Sequence, residues 1–264
     1  MKLSIITVNF NNKDGLQKTI DSVISQTFKD FEWIVIDGGS TDGSKELIEK
    51  YSDYISYWVS EPDKGVYNAM NKGIKVAKGE YLNFLNSGDV YYNTEALHNI
   101  FSKHIDCDII FGNTLINKNG KLKRINIQND YITCYHLTKD TINHQCSFIK
   151  KELFDMYGLY DESLKIVSDW KFFFETIVLK KCTLEHVNQD IILYDTNGLS
   201  SINRKQEKEE KEKILRTYLP EYVFDDYKTR FEVNELLNHR LSRVVIGILY
   251  RIITKLERLK LIQK

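Results

Sequence analysis

The chain has 264 residues, 42% hydrophobic and 28% charged. That composition excludes a disordered or fibrous protein and suffices for one sizeable α/β domain with an appendage. With 37 Lys+Arg against 37 Asp+Glu there is no net charge, so the overall balance implies no nucleic acid partner and only local clusters inform on binding.

The opening MKLSIITVNFNN turns polar too early for a secretory leader. Leu3 to Val8, short and rich in β-branched residues, predicts a buried strand instead. Leu16, Ile20, Val23, Ile24 and Thr27 then recur at helical spacing. Phe31 to Ile36 predicts a second strand. It runs into Asp37-Gly38-Gly39-Ser40-Thr41-Asp42-Gly43, a tight loop in which Ser40, Thr41 or Asp42 caps a helix carrying Leu47, Ile48 and Tyr51. Ile55 to Val59 reads as a third strand, and Val66, Met70, Ile74 and Ala77 as one face of a helix. Tyr81 to Leu85 reads as a fourth strand, leading straight into Asn86-Ser87-Gly88-Asp89. Further on, Asp108 to Ile116 and Thr183 to Leu193 predict strands, and Asp169 to Leu179 a helix. Residues 203 to 213, NRKQEKEEKEK, read as a solvated helical charge run that ends the main domain. No run reaches the ~20 apolar residues of a membrane-spanning helix. The scattered Cys107, Cys134, Cys146 and Cys182 form no CxxC pair and no zinc-like spacing. They fit a reduced cytoplasmic protein, with disulfides the lesser reading.

Strands alternating with helices imply an α/β fold, a mainly parallel sheet flanked by helices on both faces. Such sheets bind ligands beyond the carboxyl ends of their strands. The polar clusters Thr7 to Asn12, Asp37 to Asp42, Glu61 to Lys64 and Asn86 to Asp89 all fall there, so four loops converge on one crevice. Asp37 and Asp89 can each accept from a uracil N–H or a ribose hydroxyl, or ligate Mg²⁺ or Mn²⁺, which prefer oxygen. Each alone is also an ordinary cap or turn residue.

SIITVNFNN, then QTFKDFEWIVIDGGSTDGS, then EPDKGVYNAMNKGIKVAKGEYLNFLNSGD closely resemble, in order, the family 2 inverting glycosyltransferases. The match covers residues 3 to 95 and weakens towards residue 200; within the family it resembles bacterial enzymes of exopolysaccharide, capsule or O-antigen assembly. The resemblance implies a Rossmann-like GT-A catalytic domain over 1–202, with a nucleotide-sugar half (1–95) and an acceptor half (96–202), followed by a helical extension (203–264). It implies that Thr7, Val8 and Asn9 line the nucleotide pocket and that Asp37 reads uracil and ribose. Asp63, Lys64, Asn86 and Ser87 would contact the donor, and Asp89 would hold a divalent cation, Mn²⁺ or Mg²⁺. Two departures stand out. Asn86 and Gly88 replace the carboxylates of the family's Asp-x-Asp metal motif, and Gly38 replaces the second Asp often found after the second strand.

In the acceptor half, Asp169 stands at the family's base position, before an aromatic helix; its other reading is that helix's N-cap. His144 and Gln145 are candidates for acceptor contact, as is Trp170, either a stacking platform or a core residue. His186 is a further candidate metal ligand, and His144 also reads as structural. Asp195 to Ser200 resembles a segment that closes over the donor. In His239 to Lys264, apolar residues recur at three- and four-residue steps opposite Arg240, Arg243, Arg251, Lys255, Arg258, Lys260 and Lys264. A basic amphipathic helix of this kind lies on the inner face of an anionic membrane or packs against protein.

The expected function is transfer of a sugar from a nucleotide sugar, a UDP-sugar by preference, to a lipid-linked or free glycan acceptor in bacterial surface polysaccharide synthesis. The competing reading is an inactive nucleotide-binding homologue that scaffolds a membrane assembly. A nucleotidyltransferase would open with a glycine-rich basic loop, and a dinucleotide dehydrogenase with GxGxxG after the first strand; SIITVNFNN is neither.

Overall fold

Leu3, Ile5 and Ile6 have no exposed surface, and every residue of β1 (Leu3–Asn9) is buried. Only a central parallel strand covered on both faces loses both of its sides to the interior. In the computed structural model, β1 pairs in parallel with β2 (Phe31–Asp37) on one side and β4 (Tyr81–Phe84) on the other, and β2 pairs in parallel with β3 (Tyr57–Ser60). The structure describes residues 1–194 apart from 104, 119, 125–131 and 140, then residues 203–238, and finally 245 and 247–249. These form two compact units, Met1–Lys211 and Glu212–Lys264.

In the first unit the crossovers are α1 (Lys13–Ile24), α2 (Ser44–Lys50) and α3 (Val66–Val76). The Asn12 side chain caps α1 by accepting from the Gly15 N–H at 3.1 Å. Gly73 brings α3 close to β1, since a Cβ there would lie 2.5 Å from Ile6 Cγ2. The third strand starts two residues later than its apolar run suggests, because Ser52–Tyr54 form a turn of 3₁₀ helix.

After β4 come β5 (Val90–Tyr91), α4 (Ala96–Phe101), β6 (Ile109–Lys118), β7 (Lys121–Arg124) and α5 (Cys134–Lys139). A 3₁₀ turn, His144–Cys146, leads into β8 (Ser147–Lys150) and α6 (Lys151–Tyr157). Next, α7 (Ser168–Phe173) continues as a π-helical segment, Phe174–Leu179, before β9 (Leu184–Leu193). The sheet order is β3-β2-β1-β4-β8-β6-β9-β5, with β7 paired to β6. The parallel sheet is thus extended by β8, antiparallel to β4 and β6, while β9 runs parallel to β6. The α/β architecture agrees with the reading from pattern; the antiparallel insertions are its addition.

The antiparallel β4–β8 pairing, with Leu82 opposite Ile149, places the start of β8 beside the carboxyl end of β4. His144 and Asn86 meet there, although 58 residues separate them in the chain. Buried Asn83 fastens that junction: its Nδ2 donates to the carbonyls of Gln145 and Ser147, both at 2.8 Å, and its Oδ1 accepts from the Tyr91 hydroxyl.

Helix α8 (Arg204–Tyr218) contains the charge run, which is only partly solvated. The Glu210 carboxylate accepts from the backbone N–H groups of Lys165 and Ile166, and the buried Lys211 ammonium lies 5.5 Å from the centre of the Trp170 ring. The division between the two units falls inside this helix, at 211/212, rather than at residue 202. In the second unit, α9 (Glu221–Asn238) follows α8, and the Arg216 guanidinium lies 4.2 Å over the Phe224 ring. Among the described residues no helix is long and apolar enough to cross a membrane. The segment Asp195–Ser200 and most of the basic stretch His239–Lys264 lie outside the described residues.

Candidate active site

Parallel register sets Asn9, Asp37 and Ser60 side by side at the ends of β1, β2 and β3. Their side chains bond across that row. Asp37 Oδ1 accepts from Asn9 Nδ2 at 2.7 Å and Ser40 Oγ at 2.6 Å; Oδ2 accepts from Ser60 Oγ at 2.6 Å and the Ser40 N–H at 2.9 Å. Burial raises the pKa of this carboxyl, but the hydrogen bonds from Ser40, Ser60 and Asn9 outweigh it and hold the group below its ordinary value. Asp37 is 0% exposed, and four donors fill the lone pairs of its two oxygens. Its observed part is to tie three strand ends and the Ser40 turn together. The Asn9 amide is turned by the same bond, leaving its Oδ1 buried without a hydrogen bond.

At Gly38, where the resemblance leads one to expect an acid, a side chain would have to displace its neighbours. A Cβ would lie 2.6 Å from Asp63 Oδ2 and 3.1 Å from a Phe10 ring carbon. The Asp63 carboxylate, delivered by the β3–α3 loop, thus sits over position 38 and also accepts from the Gly65 N–H at 2.9 Å. Phe10 is 64% exposed, an aromatic ring left on the rim directly past β1; sequence reasoning passed over it inside the polar run Thr7 to Asn12. Lys64, next to Asp63 on the β3–α3 loop, is exposed. Thr7 and Val8 are buried, and the Thr7 hydroxyl accepts from Trp33 Nε1 at 3.0 Å. The Thr7 side chain thus packs towards the Trp33 indole.

At the end of β4, Ser87 is bound to the β1–α1 loop by Asn12, whose Nδ2 donates to the Ser87 carbonyl at 3.0 Å. The Thr19 hydroxyl holds the following turn, accepting from the Gly88 N–H and donating to the Asp89 carbonyl. Gly88 has φ +104°, a conformation that a side chain disfavours, and so the turn itself explains why no carboxylate stands there. Asp89 is buried at its end. Among the described residues no three His, Cys, Asp or Glu side chains gather as a metal-binding group. His186 lies on β9, bonded to Asn113 and packed on Phe111, outside the Asn86–Asp89 turn.

The second cluster joins the two halves of the fold. Asp169, 8% exposed at the start of α7, receives the Tyr67 hydroxyl on Oδ1 at 2.8 Å and approaches His144 Nδ1 with Oδ2 at 2.7 Å. Burial raises the Asp169 pKa, yet His144, Tyr67 and the Trp170 N–H together leave it lowered. His144 Nε2 lies 3.3 Å from Asn86 Nδ2, and Asn86 Oδ1 is buried with no hydrogen bond. Tyr67 also donates to the Ile166 carbonyl. Its place in this chain was not legible in the sequence, where it reads as one more apolar residue of α3. The Asp169 oxygens face Tyr67 and His144 and also take the Trp170 N–H in the first turn of α7.

Trp170 is not an acceptor platform. Its ring is 1% exposed, stacked on Phe174 with Lys211 over it, and its Nε1 donates to the Leu137 carbonyl at 2.6 Å. Gln145 is likewise buried and offers its carbonyl to Asn83. His144, by contrast, stands beside Asn86 at the end of β4.

A Rossmann-like, mainly parallel sheet flanked by helices, with polar loops collected at its strand ends, is the GT-A fold. The chain belongs to the family described as Glycosyl transferase family 2, whose signature matches residues 4–158. An uncharacterised glycosyltransferase of Rickettsia typhi is 32% identical over 195 residues, spanning 70% of this chain and 61% of that one. Another, of Mycobacterium tuberculosis, is 33% identical over 207 residues, 75% and 77% of the respective chains. Among solved structures, Staphylococcus aureus TarS 1–349 in complex with UDP-GlcNAc superposes with a TM-score of 0.66 at 19% identity, over 91% of this chain and 74% of that one. The mannosyltransferase PcManGT from Pyrobaculum calidifontis, in complex with GDP-Man and Mn²⁺, does so with a TM-score of 0.64 at 10% identity, over 95% and 80%. At these identities the solved structures show the shared fold.

Proposed function

We propose that the chain is an inverting glycosyltransferase that moves a sugar from a nucleotide sugar, a UDP-sugar by preference, to a glycan hydroxyl. The observation that carries this reading is the Tyr67–Asp169–His144–Asn86 chain of contacts, which spans the donor and acceptor halves at the carboxyl end of β4. In an inverting displacement the acceptor oxygen bonds to the anomeric carbon while the nucleoside diphosphate leaves with the electron pair of the broken bond. The acceptor's proton must pass to a base on that face, and the Asp169 carboxylate lies there.

The Asp37 knot supports the nucleotide side by fixing the loops that carry Phe10 and Asp63. The Phe10 ring stacks on the base, Asp63 accepts from base or ribose, and Lys64 faces the diphosphate with Asn86 and Ser87 beside it. A bound Mg²⁺ or Mn²⁺ would be held by Asp89 and would neutralise charge on the departing diphosphate. One carboxylate with phosphates and water is a normal set for such ions. The acceptor reading is a lipid-linked glycan of bacterial surface polysaccharide. What supports it is the basic amphipathic pattern of His239–Lys264, which suits a protein working on the inner face of the membrane.

Titration with UDP, with and without Mn²⁺, combined with a hydrolysis screen over UDP- and GDP-sugars, tests the proposal. Metal-dependent UDP binding with slow release of UDP from one donor is expected. Binding without turnover of any donor would point to a scaffold, and no nucleotide binding would end the reading.

A further inference from the structure

Resting on that reading, we infer that the atom receiving the acceptor's proton is His144 Nε2, with Asp169 acting behind it to orient and charge-balance the imidazole. Asp169 is poorly placed to act alone. It is almost wholly enclosed, and both oxygens already accept, one from Tyr67 at 2.8 Å and the other from His144 Nδ1 at 2.7 Å. The Trp170 N–H bonds to it as well, so three of the roughly four acceptor sites of a carboxylate are already taken inside a buried site.

The His144 side chain is enclosed to a similar degree, 13% exposed against 11% for Asp169, but one of its ring nitrogens carries only a long contact. Its Nδ1 is committed to Asp169, which fixes the tautomer with the proton on Nδ1 and leaves the Nε2 lone pair open to accept. Nε2 points to the donor side, where its partner is the Asn86 amide at a long 3.3 Å. An incoming hydroxyl can displace so weak a contact. The ring is held edge-on against Phe84 with centroids 6.4 Å apart, and the Asn83 bonds to Gln145 and Ser147 fix the turn that carries it. The arrangement repeats the logic of a carboxylate–imidazole pair in acyl transfer, where the carboxylate orients the ring and stabilises the imidazolium without itself taking the proton.

The step balances. The acceptor oxygen forms its bond to the anomeric carbon, the carbon–oxygen bond to the diphosphate breaks with its pair leaving on phosphate, and the hydroxyl proton moves to Nε2. The resulting imidazolium, paired with the Asp169 carboxylate, then returns that proton to water. The titratable groups about the ring include Asp169 from α7, Cys146 from its own turn and, bonded to Asp169 or lying in its field, Tyr67 from α3 and Tyr160 ahead of α7. The rest of the ring's surroundings named here, Phe84 and Asn86, are uncharged.

The test uses the full chain and the nucleotide sugar that the wild type hydrolyses fastest in the screen, with water as the acceptor. His144→Gly is expected to lower donor hydrolysis by about 10²-fold, the scale of one lost base, with UDP affinity unchanged. Added imidazole is expected to restore part of the rate in proportion to its neutral form. Tyr67→Phe keeps the fold and the imidazole and is expected to lose far less. His144→Asn is the second variant, for use if the glycine variant misfolds, and is expected to show the same loss. An undiminished rate in both variants, or a loss that imidazole does not relieve while UDP still binds, overturns the role of His144. If the wild type hydrolyses no donor, the transferase reading falls first and takes this inference with it.

Discussion

Asp169 and Asp37 are both buried carboxylates with lowered pKa values, and their surroundings assign them different work. Asp37 spends its lone pairs on neutral donors from three strand ends, whereas Asp169 faces an imidazole. Asp169→Asn is therefore expected to leave UDP binding nearly intact and to lower turnover by about 10²-fold or more; steady-state hydrolysis beside a UDP titration checks it. Asp37→Asn is expected to loosen the loops and weaken UDP binding and thermal stability together. Phe10, exposed at the rim, gives a cleaner probe of the nucleotide. Removing a base-stacking ring costs about 1–3 kcal/mol, so Phe10→Ala should raise the UDP dissociation constant by about tenfold at unchanged melting temperature, measurable by calorimetry. Their place at strand ends marked Asp37 and Asp89 in the sequence, and the family resemblance marked Asp169. Neither revealed that Asp63 lies over Gly38, since that needs the two loops side by side.

Among the elements, the legible ones are those whose local pattern has one physical solution. β1, β2 and β4 are rich in apolar residues and buried along almost their whole length because both faces are covered, and α1 and α3 repeat at helical spacing. β5 and β8, at two and four residues, are too short to show a period, and it is pairing partners distant in the chain that make them strands. β8 matters most, because its antiparallel match to β4 carries His144 to Asn86. At the α3–β1 contact the competing magnitudes can be tested. Gly73→Ala adds about 1 kcal/mol of helix propensity, yet the new methyl meets the buried Ile6 at 2.5 Å. Overpacking of that kind costs about 1–3 kcal/mol, so a net loss of stability is expected in urea denaturation; a gain would show that α3 shifts freely on the sheet.

For the molecule as a whole, charge enters stability through carboxylates held ionised. The Lys171 ammonium at 2.7 Å, with help from Ser163, pulls Asp161 down to about 2, and Asp37 and Asp169 are lowered as well. A carboxyl with a depressed folded-state pKa stabilises the protein fully above its unfolded value, near ~4, and loses that contribution as pH falls towards the folded value. Urea midpoints should accordingly hold steady down to about pH 4 and drop between there and about pH 2. Asp161→Asn should flatten part of the drop, and an unchanged slope would remove that ion pair from the account. For the tail, deletion of residues 240–264 is expected to abolish sedimentation with anionic vesicles while UDP binding persists; retained sedimentation would refute a membrane role for it.

One connection ties these scales together. Glu210 clasps the 165–166 peptides from α8, the Ile166 carbonyl receives Tyr67, and Tyr67 holds Asp169. A truncated protein stopped at residue 202, where the sequence suggests an ending, keeps every residue that faces the crevice but loses that clasp. Anyone trimming this enzyme for crystals or assays should expect a fragment that still takes up nucleotide and turns over poorly, with the cut to be made no earlier than the far side of Lys211.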